Sequence, residues 1–323
     1  HQAAAMKFEN ASVFEMGLTF SLLMFLLVFP FNLSAQSSVQ QERLTFVRLT
    51  GEQYRNSIRD IFGESIEVRG DAVSAGVREA GLTALGDRRL TLSSSEVESF
   101  EVLALDIASQ VLEPSRRTTL IPCEPDNQNS VDNECASEFI SSVGLHLFRR
   151  PLAQDEIEGF KSMASAATNS LGSFYVGLQA ALVGMMVSPD FLFRTERSSP
   201  NPEAPGLRQL DAWSIASRLS FFLWNTTPSV SLLKAAESGE LLFEEGLNKQ
   251  VDRMMSSPRV EDGLRAFFSD MLAFDRFNTL DIDPTLYPKF TKSVEDEARE
   301  QTLRTIAYLL LDQESDYRDI FDS

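Results

Sequence analysis

Histidine is nearly missing from this chain: two occur in 323 residues, and one of them is His1. That scarcity removes the material for a histidine-rich metal site or a histidine-based triad. Basic residues are outnumbered, 29 against 47 acidic ones, for a formal net charge of −18. A chain this acidic has no electrostatic case for nucleic acid or for an anionic lipid surface. The sequence contains no Gly-x-Gly-x-x-Gly, P-loop, His-Glu-x-x-His or Gly-x-Ser-x-Gly. Nucleotide cradles, zinc proteases and nucleophile elbows therefore have no sequence basis. There is no Cys-x-x-Cys-His either, so no haem attachment and no other cofactor is expected in this stretch.

One long apolar run is present, GLTFSLLMFLLVFPF from Gly17 to Phe31. Fifteen residues are short for a spanning helix, which needs about 20, and suit a signal-peptide core. Met6 reads as the start, Lys7 as the basic flank, and Leu33, Ser34 and Ala35 as a small-residue cleavage region. Residues 1–35 are thus expected to be upstream residues plus a signal peptide. The protein is expected to be exported, to the periplasm or beyond, and to meet a membrane only through an uncleaved anchor. In an oxidising compartment two cysteines read most simply as one disulfide, here Cys123 with Cys135 around the polar segment EPDNQNSVDNE. Asp126 to Glu134 superficially resembles a calcium loop but lacks the glycine and the bidentate glutamate that such a loop requires. No metal is expected.

The remainder reads as all-α, in multi-helix bundles. Thr50 to Gln53 is a capping-box pattern, with Gly63 closing the helix that follows. Ser95 to Glu98 suggests a second box, leading an apolar face through Phe100, Leu103, Ile107 and Val111. Phe139, Val143 and Leu147 line a helix that must stop before Pro151. Another face, through Leu178, Leu182 and Met185, ends at Ser188 and Pro189. The segment SSPNPEAPG, Ser198 to Gly206, reads as a linker, and Asp211 as the cap of the helix beyond it. The last long helix, Val294 to Leu311, is expected to carry an apolar stripe of Ala298, Ile306 and Leu309. These signals divide the chain into helical modules at 44–114, 115–197 (disulfide-tied) and 207–323.

Carboxylates are the catalytic material present in quantity. Glu295, Asp296, Glu297 and Glu300 crowd one helix start, where acidic groups also simply favour the helix dipole. His146 has no acidic, thiol or imidazole neighbour in its local sequence, and reads as structural.

Four segments in order give a resemblance: RLTGEQYRNSIRDIFG (48–63), LFRRPL (147–152), SPDFLFRTE (188–196) and RLSFFLWNTTPSVSLL (218–233). Together they resemble a family of exported multi-module bacterial proteins. Its consecutive modules are the domains of unknown function fifteen-eighty-seven, fifteen-ninety-five and fifteen-ninety-two. The motif positions are Arg48, Tyr54, Arg59, Arg149, Arg150, Pro151, Pro189, Phe191, Arg194, Glu196, Arg218 and Trp224. DPTLYPKF (283–290) is similar to a later part of the third module. The resemblance implies that further modules follow, sometimes with c-type haem domains, so the third module is expected to be truncated and those modules to be its partners. It supplies no accepted reaction and no catalytic residues. The reading is a scaffold or binding module without demonstrable catalysis; the alternative is a carboxylate-based hydrolase acting on an extracellular polysaccharide or similar polymer. Arg149 and Arg150 are expected to satisfy helix-end carbonyls or pair with a nearby glutamate, or else to bind an anion.

Overall fold

The computed structural model describes residues 43–70, 78, 81–83, 92–201, 204–279, 282–283 and 285–321. The segment read as a signal peptide and parts of the 64–92 stretch read as a loop lie outside the described residues. The chain is helical, as the sequence implies, with twelve α-helices among the described residues and one small sheet that the sequence did not reveal.

Strand β1 (Arg43–Arg48) leads into α1 (Gly51–Phe62). The Thr50 hydroxyl accepts from Gln53 N–H while the Gln53 side chain accepts from Thr50 N–H, and Gly63, at φ 94°, ends the helix. Helix α2 (Ser94–Val111) starts two residues earlier than expected: the box is made by Ser93 and Glu96. Its Glu96 thus sits at the third helical position and closes the box on Ser93, not Ser95. A short α3 (Arg117–Leu120) precedes the loop tied by Cys123 and Cys135, whose Cα atoms are 5.5 Å apart. The disulfide is formed.

Helices α4 (Asn133–Phe148), α5 (Gln154–Leu171) and α6 (Phe174–Met186) follow. Helix α6 buries Leu178, Ala181, Leu182, Met185 and Met186, and is packed by α2, α4 and α5. A helix apolar on most of its circumference belongs in the centre of a core. Phe100, Phe139, Ile140, Leu147 and Phe191 join it in the larger hydrophobic cluster. Each such side chain contributes about 1.5–3 kcal/mol by leaving water.

After α6, Ser188 caps the one-turn α7 (Pro189–Leu192), with Pro189 in its first turn, where a missing N–H costs nothing. The chain then straightens into β2 (Phe193–Pro200), and a third strand, β3 (Arg208–Leu210), follows. The sheet order is β1-β2-β3, all antiparallel, with Arg48 opposite Phe193 and Ser198 opposite Leu210. Ser198 to Gly206 is therefore not a plain linker. Its first three residues extend β2, and Pro200 is tolerated because it closes the strand.

Asp211 caps α8 (Ala212–Leu223) by accepting from Ser214 N–H. Helices α9 (Val230–Glu237), α10 (Glu244–Met255), α11 (Val260–Met271) and α12 (Lys292–Ala307) complete the fold. A second cluster, with Ala216, Trp224, Leu232, Leu241 and Met254, sits among α8, α9 and α10. The expected stripe on the last helix is thinner than its sequence implies. Ile306 and Ala307 are buried, but Ala298 is exposed, and the remaining buried position of α12 is Glu295, paired with Lys292. No helix among the described residues is long and apolar enough to cross a membrane.

Candidate functional site

Three of the four motif segments converge where α4 ends, β2 runs and α8 begins. Arg149 terminates α4 in the left-handed conformation, φ 58° and ψ 22°. Glycine is the usual occupant of such a cap, because a Cβ costs about 1 kcal/mol or more there. An arginine accepts that cost here because its side chain is needed beneath. It is 3% exposed, and its Nη2 donates to the carbonyls of Asp190, Phe191 (3.2 Å) and Phe193 (2.8 Å). The guanidinium also lies near the Phe191 and Phe221 rings, 6.0 and 5.7 Å from their centroids. Burial pushes Arg149 down to about 9, Arg194 and Arg150 add to the fall, and Asp190 opposes it. The group remains cationic at neutral pH.

Its neighbour Arg150 is held by carboxylates. Both Glu156 oxygens accept from it at 2.8 Å, and Asp190 Oδ1 accepts at 3.0 Å. This bidentate hydrogen bonding, chiefly, holds Glu156 below the ordinary carboxylate value. Glu156 also accepts from Ala153 N–H, so one carboxylate caps α5 and anchors Arg150. Pro151 lies in the connection between α4 and α5, where its fixed φ keeps α4 from continuing. On β2, Glu196 is 3% exposed and is engaged by Arg218 of α8, Nη2 to Oε2 at 2.5 Å, and by Arg194 at 3.4 Å. Arg194 lies 5.8 Å from the Phe221 centroid, so two arginines share one ring.

A small recess opens at this junction, lined by Phe148, Arg149, Arg150, Thr195, Arg197, Asp211, Trp213, Ser214 and Ser217. The recess is open to solvent and has about 20 Å³ of room for a water-sized occupant. Thr195 and Arg197 reach it from alternate positions of β2, and Ser214 and Ser217 from one face of α8. Arg197 N–H donates to Ser214 Oγ at 2.8 Å, and Asp211 N–H donates to the Arg197 carbonyl at 3.1 Å, fastening helix to strand.

Other motif positions lie elsewhere. Tyr54 is buried between Phe100 and Phe191, with centroids at 5.7 and 5.2 Å, and burial raises its hydroxyl well above the usual value. Arg48 is buried and paired with Glu96 at 2.9 Å. Arg59 is exposed on α1 and bonds Asn56 Oδ1 at 3.1 Å. Trp224 donates from Nε1 to the Met254 carbonyl at 3.1 Å, with Arg253 and Arg259 over its ring. His146 is half-buried, and burial lowers its pKa. In the calcium-like loop, Asp132 accepts from Asp126, Glu134 and Cys135 N–H groups, which commits its carboxylate to capping α4. Among the described residues no group of three or more histidines, cysteines and carboxylates could hold a metal ion. Thr195, Arg197, Trp213, Ser214 and Ser217 escaped the sequence reading; only the period-two spacing of the first pair and the three-residue spacing of the serines could have flagged them.

Residues 135–196 match a family model described as Protein of unknown function (DUF1595). Residues 210–323 match another, described as Protein of unknown function (DUF1592). The two matches support a likeness to proteins of unknown function that carry these two domains. No curated protein and no solved structure matches it. The two matches meet at the recess. Phe148, Arg149, Arg150 and Thr195 come from the first domain, Asp211, Trp213, Ser214 and Ser217 from the second, and Arg197 from the segment between.

Proposed function

We propose that this chain is a non-catalytic helical module of an exported protein, acting as a scaffold or binding unit beside further modules of the same polypeptide. The observation that carries this reading is the use made of the motif side chains. Arg149 fastens the end of α4 to the carbonyls around α7, Arg150 joins α5 to α7, and Glu196 joins β2 to α8. Glu196 and Glu156, the carboxylates at this junction, are committed to holding elements in place. The disulfide supports an oxidising compartment, since such bridges are rare in reducing cytoplasm. The segment Arg48 to Gly63 is read as part of a third, N-terminal module, and haem-bearing neighbours follow from resemblance alone.

One observation favours the hydrolase reading: burial raises the carboxyl groups of both Glu52, in the first turn of α1, and Asp262, in the first turn of α11. Glu52 as a residue is nonetheless exposed, so solvent screens its shift. The deciding experiment incubates the full chain with soluble polysaccharides and assays reducing ends. No release is expected. Release that disappears in Glu52→Gln and Asp262→Asn would replace the scaffold reading with the hydrolase.

A further inference from the structure

We propose that the buried turn between α8 and α9, Trp224 to Pro228, is a latch that couples the N-terminal helix α1 to the second matched domain, so that the two open together. The coupling holds whether or not the chain is a scaffold. Connecting segments ordinarily run over the surface, where water serves their polar groups. All five residues of this one are buried, Asn225 and Thr227 at 4% exposed and Thr226 at 0%. Asn225 lies in the left-handed region, φ 53°, which asparagine tolerates better than most residues. A polar turn is kept inside only where its groups find partners, and here three separate parts of the fold supply them.

Helix α1 is the first. Its apolar side, with Tyr54, Ile58 and Phe62, packs into the larger hydrophobic cluster. Asn56 and Asp60, four residues apart, form a separate polar face. Asn56 Nδ2 donates to the Asn225 carbonyl at 3.1 Å, and Thr226 Oγ1 donates to Asp60 Oδ2 at 2.8 Å. Arg259, just ahead of α11, donates to that same Asp60 oxygen and lies 4.8 Å from the Trp224 ring centroid. Thr226 and Arg259, 166 and 199 positions from Asp60 in sequence, thus share its carboxylate. Charge-assisted bonds of this kind are about twice as strong as neutral ones. The end of α4 is the second part, since Thr227 Oγ1 donates to the His146 carbonyl at 3.0 Å. The third is the smaller cluster, where Trp224 Nε1 donates to the Met254 carbonyl at 3.1 Å. That cluster contains no residue of α1, and the polar turn is what links the helix to it. Helix α11 in turn lies so close to the end of α8 that a methyl on Gly263 would collide with the Leu223 carbonyl.

The test is amide hydrogen exchange of the full chain, read peptide by peptide by mass spectrometry, which reports the opening equilibrium of each element. Thr226→Val keeps the shape of the side chain and removes the hydroxyl that reaches Asp60. It is expected to speed exchange about tenfold in α1 as well as in its own turn. Asn56→Ala works from the other side of the seam, at a position where alanine suits the helix. It should speed exchange in residues 223–228 and in α11. Helix α5, which makes none of these bonds, is the control and should keep its wild-type rates in both variants. Should Thr226→Val fail to fold, Asn56→Ala alone reads the coupling across the seam. Acceleration confined to the mutated element overturns the proposal. Equal acceleration throughout, α5 included, overturns it as well, because it marks a general loss of stability with no particular coupling through the turn.

Discussion

Arg218, on the solvent side of α8, closes over the buried carboxylate of Glu196 with two hydrogen bonds, at 2.5 and 3.2 Å. The pair is asymmetric: the arginine is 51% exposed and the glutamate 4%. Losing the arginine therefore strands a charge that cannot reach water, with only Arg194 at 3.4 Å still facing it. Breaking a fully buried pair costs about 3–5 kcal/mol, and the exposed partner here argues for a smaller penalty. Arg218→Ala should cost about 2 kcal/mol in urea unfolding. Glu196→Gln should cost less than that, since it removes the stranded charge itself.

The disulfide closes a loop with a sequence separation of 12. A loop of that length is worth about 3 kcal/mol in the chain-entropy account. The double variant Cys123→Ser/Cys135→Ser should lose that amount, and reductant should lower the thermal midpoint of the wild type but not of the variant.

Glu156 gives a pH dependence of definite sign. Its folded value lies below the ordinary 4.5, chiefly through its hydrogen bonds to Arg150. The stability it contributes is therefore fully present above about pH 4.5 and lost as pH falls through the depressed folded value. Glu156→Gln should be less stable near neutrality and should flatten the acid limb of the stability curve. A variant that keeps the wild-type acid limb would show that other carboxylates dominate it.

Two glycines should answer in opposite directions. A methyl at Gly177 would collide with Thr168 Oγ1 and the Ala164 carbonyl, where α6 crosses α5. Gly177→Ala should destabilise by about 1–3 kcal/mol. Gly159, exposed within α5, has open space around its missing side chain. Gly159→Ala should stabilise by about 0.5–1 kcal/mol. Chemical denaturation of the two variants side by side checks both.

How far the sequence could be read varied with the distance over which its signals act. Thr50 with Gln53, Gly63, Pro151 and the face through Phe139, Val143 and Leu147 carry their meaning within a few residues, and the structure agrees with them. The sheet did not announce itself. β1 reads RLTFVR, and its Leu44 and Phe46 are exposed while Arg48 is buried, so apolar alternation does not mark its inner face. Its partner lies far along the chain. The recess was illegible for a related reason. Arg149 occupies a cap where backbone preference favours glycine, and its partners are carbonyls on another element. Thr195 and Ser217 are ordinary residues until a strand and a helix bring them together.

The antiparallel pairing of β1 with β2 places Arg48 opposite Phe193, and Leu49 N–H donates to the Leu192 carbonyl. A segment ahead of both matched domains is thus stitched to the last residues of the first of them. Excising residues 135–196 as an independent unit would leave β2 with a bare edge on the side β1 occupies. The same pairing sets an order of events during synthesis. β1 leaves the ribosome first and waits for its partner for on the order of ten seconds at ordinary elongation rates. During that interval the strand that carries Leu44 and Phe46 has no β2 to pair with.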